Sequence, residues 1–167
     1  MDLARLAALA SQAHEIDTHN EFPKMKKLSH QQAGNLGEVL ALAKLNSLGI
    51  AAYASPEGAP GHDLIAVVEG TALSIEVKTR QFLLRATEIS RWPVDMDTKG
   101  DADFFLFVEL DLRTLSPTFY LLTNDQARAT HRVSKGLGNC YPSHVRKAAA
   151  PNDFAPLLAS GAPQSTA

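Results

Sequence analysis

The sequence predicts a single α/β domain in which a central mixed sheet is flanked by helices. The chain has 167 residues and is 45% hydrophobic, which is enough for one domain with a substantial core but too short for two. Three features indicate this class: a capped helix before Gly49, a β-hairpin around Glu69 and Gly70, and a nearly continuous apolar stretch from Asp103 to Leu110. A strand that is apolar on both faces is typical of a sheet covered on both sides.

The helix that precedes the sheet has clear start and stop signals. Ser29 is a favourable N-cap, and Gln32, three positions later, completes a capping box. Gly49 provides a C-terminal stop after Leu48. Glu38 falls within the apolar middle of this helix. Periodicity alone favours a solvated Glu38, because glutamates are rarely buried.

Residues 63–81 predict a β-hairpin, since β-branched and apolar residues flank the Glu69-Gly70 turn. In its second strand, the period of two places Glu76 and Lys78 on one face and apolar residues on the other. Pairing the strands brings Asp63 toward Lys78, so the three charged residues can converge at the open end. A carboxylate and an ammonium projecting from an apolar strand either form an ion pair, bind a metal or take part in catalysis.

The second half of the chain continues the same alternation of strands and helices. Thr118 to Leu122 predicts a strand, and Thr123 with Gln126 predicts a short capped helix. Residues 81–100 have no clean periodicity. Trp92, within them, either lines a groove or packs inside a loop.

The two ends of the chain are expected to lie outside the core. We expect one domain over residues 1–150, preceded by a helical extension over about residues 1–28 in which Asp2 to Glu15 form an amphipathic helix. Residues 151–167 are rich in Pro, Ser, Gly and Ala and predict a flexible tail.

Cysteine content and hydropathy predict a cytoplasmic protein without a membrane segment. Cys140 is the only cysteine, so the chain forms neither an internal disulfide nor a cysteine zinc cluster, which fits a reducing compartment. No run approaches the roughly 20 apolar residues that span a bilayer. Asp2 and Arg5 interrupt the apolar N-terminus, which argues against a signal peptide.

Charge is distributed locally rather than globally. The formal net charge is -2, so a nucleic-acid site must be a local patch. The segment from Arg128 to Lys147 contains basic residues and no acid, and Gly136, Gly138 and Asn139 predict a flexible loop that settles on a phosphate backbone, although a solvated basic loop remains the alternative. The candidate nucleic-acid contacts are Arg80, Arg85, Arg91, Arg128, Arg132, Lys135, Arg146 and Lys147.

The spacing of the charged residues resembles the PD-(D/E)XK nuclease superfamily. Asp63 is followed by twelve residues and then by Glu76-Val77-Lys78 on a strand, with a glutamate on the preceding helix. The resemblance covers roughly residues 34–122 and includes the αβββαβ core of restriction endonuclease-like proteins. Residues 34–38 and 77–80 are most similar to its Holliday junction resolvase-like and restriction-like branches. His62 stands where the motif has proline, a loosely kept position.

The resemblance implies a site, a cofactor and a substrate. It assigns metal ligation to Asp63, Glu76, the Val77 carbonyl and Glu38, and catalytic roles to Lys78 and Gln81 besides. In this context the functional interpretation of Glu38 is favoured over the solvated one. Converging carboxylates repel unless a cation lies between them, and hard oxygen ligands suit Mg²⁺, with Mn²⁺ as a substitute. The implied activity is hydrolysis of duplex or branched DNA by a homodimer.

Three alternatives remain open at this stage. Glu76 and Lys78 can be a structural ion pair at a sheet edge. The protein can be a non-catalytic nucleic-acid-binding or scaffolding subunit on the same fold. It can also hydrolyse small phosphoesters, although the basic segment and the lack of a Gly-x-x-x-x-Gly-Lys phosphate loop favour a polymer.

Overall fold

The computed structural model describes residues 26–56, 61–99 and 101–161. The elements in chain order are α1 (His30–Ser47), β1 (Ala51–Ala54), β2 (Leu64–Val68), β3 (Thr71–Phe82), a 3-10 turn (Ala86–Glu88), β4 (Trp92–Pro93), α2 (Met96–Lys99), β5 (Phe104–Asp111), β6 (Ser116–Thr123), α3 (Asn124–Thr130), β7 (His131–Ser134), β8 (Leu137–Cys140), α4 (Pro142–Ala148) and α5 (Ala155–Ala159). The predicted N-terminal helix lies outside the described residues. Within them, no helix is both long and apolar enough to cross a membrane.

The strands form a five-stranded mixed sheet in the order β1-β2-β3-β5-β6 and a three-stranded sheet in the order β4-β8-β7. Only β3 and β5 are parallel in the larger sheet. A parallel pair needs a crossover connection, and residues 83–103 provide it with the 3-10 turn, β4 and the four-residue α2. The predicted class, a mixed sheet flanked by helices, is confirmed.

The local signals at the helix and the hairpin are present as predicted. Ser29 Oγ accepts a hydrogen bond from the Gln32 N–H, and the Gln32 side chain accepts one from the Ser29 N–H, which completes the capping box of α1. At the hairpin turn, Glu69 and Gly70 both have positive φ, 49° and 80°. A turn of this kind matches the right-handed twist of the paired strands.

Each face of the large sheet carries its own hydrophobic core. On one face, Ile75 and Val77 of β3 pack against Ala41 and Leu45 of α1. On the other, aromatic residues of β5 pack with the small sheet and α4. Every residue from Phe104 to Leu110 is buried, as expected for a strand covered on both faces.

The Trp92 side chain packs in the second core. Its side chain is fully buried, its Nε1 donates to the Val108 carbonyl at 3.3 Å, and its ring meets Phe107 edge-on at 5.3 Å between centroids. The packing interpretation of this residue therefore describes the structure.

Two sequence-based expectations of flexibility need correction. The middle of the basic segment is not a loop: β7 and β8 form a hairpin because Lys135 and Gly136 adopt positive φ at its turn. Residues 151–161 are not a free tail either, since Phe154 and Leu157 are buried in the first core. The prediction of a flexible tail was wrong here because two apolar side chains hold a stretch whose composition is otherwise typical of turns.

Helix α1 packs tightly against β3 at Gly37, which gives a direct test of the packing. A Cβ at Gly37 would overlap the Thr79 side chain. Gly37→Ala is expected to lower the free energy of unfolding by about 1–3 kcal/mol, because overpacking must displace α1 or Thr79.

Gly34→Ala on the same helix is the matched control. No atom lies within 4 Å of a Cβ at Gly34, so helix propensity should raise stability there by about 0.5–1 kcal/mol. Urea unfolding of both variants measures the difference. Equal stability of the two would show that α1 and β3 are not in close contact at Gly37.

Candidate active site

The candidate site lies where β3 continues past the start of β2. Leu64, the first residue of β2, pairs with Ile75, so the same register places Asp63 opposite Glu76. Asp63 Oδ2 accepts a hydrogen bond of 2.8 Å from the Val77 N–H. The Asp63 carboxylate thus accepts the hydrogen bond that a backbone carbonyl of a neighbouring strand would otherwise accept from Val77. Asp63 therefore contacts β3 at the open end of the hairpin.

Glu76 and Lys78 form an ion pair on the face of β3 that looks away from α1. Glu76 is fully buried, and its Oε1 lies 2.5 Å from Lys78 Nζ. Their register partners in β5 are Phe105 and Phe107. A carboxylate removed from water in an aromatic environment needs a cation nearby. Lys78 supplies that charge while 24% of its side chain remains exposed.

A cleft of about 280 Å³ opens at this edge of the sheet. The predicted site residues that line it are Asp63, Glu76, Val77, Lys78, Glu38 and Arg80, together with His30, Gly34, Thr79, Trp92 and Pro93. The cleft lies at the edge of β3. Residues of α1 line it from one face of this strand, and Glu76 lines it from the other face. Residues of the helix and of the strand therefore line the same cleft.

The donor set of the cleft fits a hard divalent cation held by few protein ligands. Asp63 and Glu76 supply carboxylates, and the Val77 carbonyl is on the same edge of β3 as its N–H, which bonds to Asp63. Such oxygen donors suit Mg²⁺, which keeps several waters. No group of three or more His, Cys, Asp and Glu side chains is arranged to bind a metal anywhere in residues 26–56, 61–99 and 101–161. Asp63, Glu76 and Glu38 thus line one cleft without forming such a group.

The structure places Gln81 differently from the prediction. Its amide makes two hydrogen bonds to the Leu28 backbone, accepting from the N–H at 2.9 Å and donating to the carbonyl at 2.6 Å. Alternation along β3 explains this, since Gln81 is on the opposite face from Glu76 and Lys78. Gln81 fixes the chain just before the N-cap of α1, the helix that carries Glu38.

A second contact fixes the same entry to α1. The Glu88 carboxylate accepts backbone hydrogen bonds from Leu84 and Arg85 and forms an ion pair of 2.9 Å with Lys27. The Lys27 ammonium, followed by those backbone N–H groups, lowers the pKa of Glu88 to about 2. The sequence did not predict this ion pair between the segment before α1 and the loop after β3.

The predicted nucleic-acid contacts divide into two groups. Arg80 lines the cleft, and its Nε donates to the Arg91 carbonyl at 3.2 Å, so the two arginines are neighbours. Burial, followed by the charge of Arg91, lowers the pKa of Arg80. The others are exposed side chains elsewhere on the surface: Arg85, Arg128, Arg132, Lys135, Arg146 and Lys147.

Arg146 has a structural partner that the sequence analysis missed. Its Nη2 and Nε donate to Glu109 Oε1 at 2.6 and 3.0 Å, and Glu109 is only 4% exposed. Burial raises the pKa of Glu109, and hydrogen bonding to Arg146 opposes that rise. The available signal was the acid itself, because a glutamate within a strand buried on both faces requires a partner.

Two solved nucleases share this architecture. The bacterial homing endonuclease I-Ssp6803I superimposes with a TM-score of 0.55 at 16% sequence identity, covering 81% of this chain and 95% of the endonuclease. Hjc, a Holliday junction resolvase from the archaeal hyperthermophile Archaeoglobus fulgidus, superimposes with a TM-score of 0.50 at 18% identity, covering 75% of this chain and 95% of the resolvase. The chain has a restriction endonuclease-like fold.

The sequence matches no protein-family model, and no curated protein is significantly similar to it. At 16% and 18% identity the structural likeness shows the fold alone. Within this restriction endonuclease-like fold, the roles of Asp63, Glu76 and Lys78 must be argued from their own geometry.

Proposed function

We propose that this protein is a Mg²⁺-dependent endonuclease that hydrolyses phosphodiester bonds in DNA. The observation that supports this most directly is the meeting of Asp63, Glu76 and Lys78 in one cleft at the edge of β3. The fold of two nucleases that act on DNA supports the same proposal.

The residues of the cleft have different roles in the proposed hydrolysis. Asp63, Glu76 and the Val77 carbonyl would hold a cation that, when bound, polarises a phosphate oxygen and lowers the pKa of a water molecule. Lys78, held against Glu76, orients the attacking water or stabilises the negative charge that develops on the phosphoryl group. Arg80, beside them, attracts the phosphate backbone.

The proposal extends to assembly and location. A duplex has two strands, so a chain with one cleft cuts both most simply as a homodimer. A cytoplasmic location accords with Cys140, which is a buried free thiol.

A cleavage panel tests the activity. Supercoiled, linear duplex, branched and single-stranded DNA, with matched RNA, are incubated with wild type and Asp63→Asn in Mg²⁺, Mn²⁺ or EDTA. We expect cleavage of duplex or branched DNA with either metal, none in EDTA, and a loss of about 10²-fold or more in Asp63→Asn. Asp125→Asn, an exposed carboxylate on α3, is the matched control and should cleave like wild type.

Other outcomes separate the alternatives. Equal activity of Asp63→Asn and wild type would indicate a contaminating nuclease. Binding of DNA without cutting by any variant would favour a non-catalytic subunit. Hydrolysis of small phosphoesters with no effect on polymers would favour a phosphoesterase.

A further inference from the structure

A second groove, of about 610 Å³, adjoins the cleft and shares Lys78 and Pro93 with it. One wall is formed by residues 91–97, and the other by the hairpin of β7 and β8. The two depressions therefore lie side by side at Lys78 and Pro93. A polymer that reaches the Asp63 edge can therefore extend along this groove.

The hairpin is fixed at its base. Strand β8 pairs with both β4 and β7, and the His131 ring Nε2 lies 3.1 Å from the Val94 carbonyl. Gly138 permits this contact, because a Cβ there would overlap both groups. The hairpin is therefore a rigid projection rather than the flexible loop that its composition predicted.

The tip of the hairpin presents apolar and basic side chains together. Val133 and Leu137 are 69% and 62% exposed, and both line the groove. Lys135 in the turn is exposed, and so is Arg132 in β7, whose Nη1 donates to the Ala129 and His131 carbonyls at 2.7 Å. Large apolar side chains held in water on a rigid element indicate a contact surface. The neighbouring cations indicate a polyanionic partner.

The charged residues of the groove also indicate the path that a bound phosphate backbone would follow. Arg91 and Lys78 line it on the way to the cleft, whereas Asp95 and Asp97 lie at the opposite end of the 91–97 wall. The Asp95 carboxylate accepts a hydrogen bond from the Asp97 N–H at 3.0 Å. A phosphate backbone is repelled by these acids and attracted by the basic residues, so it follows the Arg91 side toward Lys78.

We propose that the β7–β8 hairpin enters the major groove of B-form duplex DNA while one strand's backbone follows the adjoining groove to Lys78. This inference rests on the proposed nuclease function and specifies its substrate. The major groove of B-DNA, about 12 Å wide, admits a two-stranded β-ribbon. A-form RNA has a deep, narrow major groove that side chains do not read. The register places Val133 and Leu137 on opposite faces of the ribbon, so whichever of them faces the bases can contact thymine methyl groups, and Lys135 and Arg132 can contact phosphates.

Fluorescence anisotropy in EDTA, where cleavage is prevented, tests the hairpin in the full chain. The probes are a DNA duplex, the corresponding RNA duplex and a DNA single strand. We expect Arg132→Gln/Lys135→Gln to weaken binding of the DNA duplex about tenfold and to reduce the slope of log K against log salt by about 1–2. Val133→Ser/Leu137→Ser should weaken the DNA duplex about tenfold and leave the RNA duplex unchanged.

The turn between β5 and β6 provides the matched control. It carries an exposed arginine and an exposed leucine that line neither depression, so Arg113→Gln/Leu115→Ser should bind DNA like wild type. Hairpin variants that bind and cleave duplex DNA as wild type does would overturn this inference and leave the nuclease proposal standing. Equal affinity of wild type for the DNA and RNA duplexes would also overturn it. A wild type that neither binds nor cuts DNA would remove both proposals.

Discussion

Lys78→Met is expected to reduce the single-turnover cleavage rate about 10²–10⁴-fold in folded protein. The substitution keeps the length of the side chain and removes the ammonium that lies 2.5 Å from Glu76. In the proposed mechanism that charge acts on the attacking water or the phosphoryl group, so its loss affects the chemical step. Cleavage of labelled duplex DNA at saturating enzyme and Mg²⁺ measures the rate.

A structural ion pair makes a different prediction, because Glu76 is buried. Lys78→Met would then lower stability without lowering the rate of the folded fraction. The double variant Glu76→Gln/Lys78→Met removes both charges and should recover stability in either case. Recovered stability with recovered cleavage would contradict a catalytic Lys78. Lys44→Met, in the last turn of α1, controls for loss of a lysine outside the cleft.

Arg146→Met is expected to lower the free energy of unfolding at neutral pH by about 2–4 kcal/mol. Removing one partner of a buried pair leaves an uncompensated charge, and such losses are usually about 3–5 kcal/mol. We expect a loss around the lower end of that range, because the Arg146 side chain is 36% exposed although the Glu109 side chain is buried. Denaturant unfolding monitored by circular dichroism measures the change.

The pH dependence of that loss follows from Glu109. Its pKa is already raised by burial against the opposing hydrogen bonds of Arg146, and it should rise further in Arg146→Met. A carboxyl group with a raised pKa in the folded state gives stability below its unfolded pKa and loses it as pH rises through the folded value. The deficit of the variant should therefore be small near about pH 4 and largest near about pH 7. A deficit that is constant with pH would contradict an uncompensated Glu109 charge as its cause.

Local sequence signals predicted most of the fold, because helix caps and tight turns depend on residues that are only a few positions apart. The capping box at Ser29 and the Glu69-Gly70 turn are set by backbone geometry. The period of two in β3 placed Glu76 and Lys78 on one face before any tertiary contact was known. Asp63 came within reach because the hairpin register follows directly from the turn.

The features that were missed depend on contacts between distant segments. Gln81 is separated from Leu28 by 53 residues and Arg146 from Glu109 by 37, and neither partner is visible in local pattern. The basic hairpin was predicted as a loop because Gly136 and Gly138 indicate flexibility in composition. In the fold, one glycine makes a turn and the other permits a close contact.

The location of a bound Mn²⁺ ion tests the central claim most directly. Anomalous diffraction from crystals grown with Mn²⁺ should show a peak about 2 Å from carboxylate oxygens of Asp63 and Glu76, and the peak should be absent in Asp63→Asn. A peak elsewhere on the protein, or none in the cleft of an enzyme whose cleavage requires the metal, would contradict the proposed site.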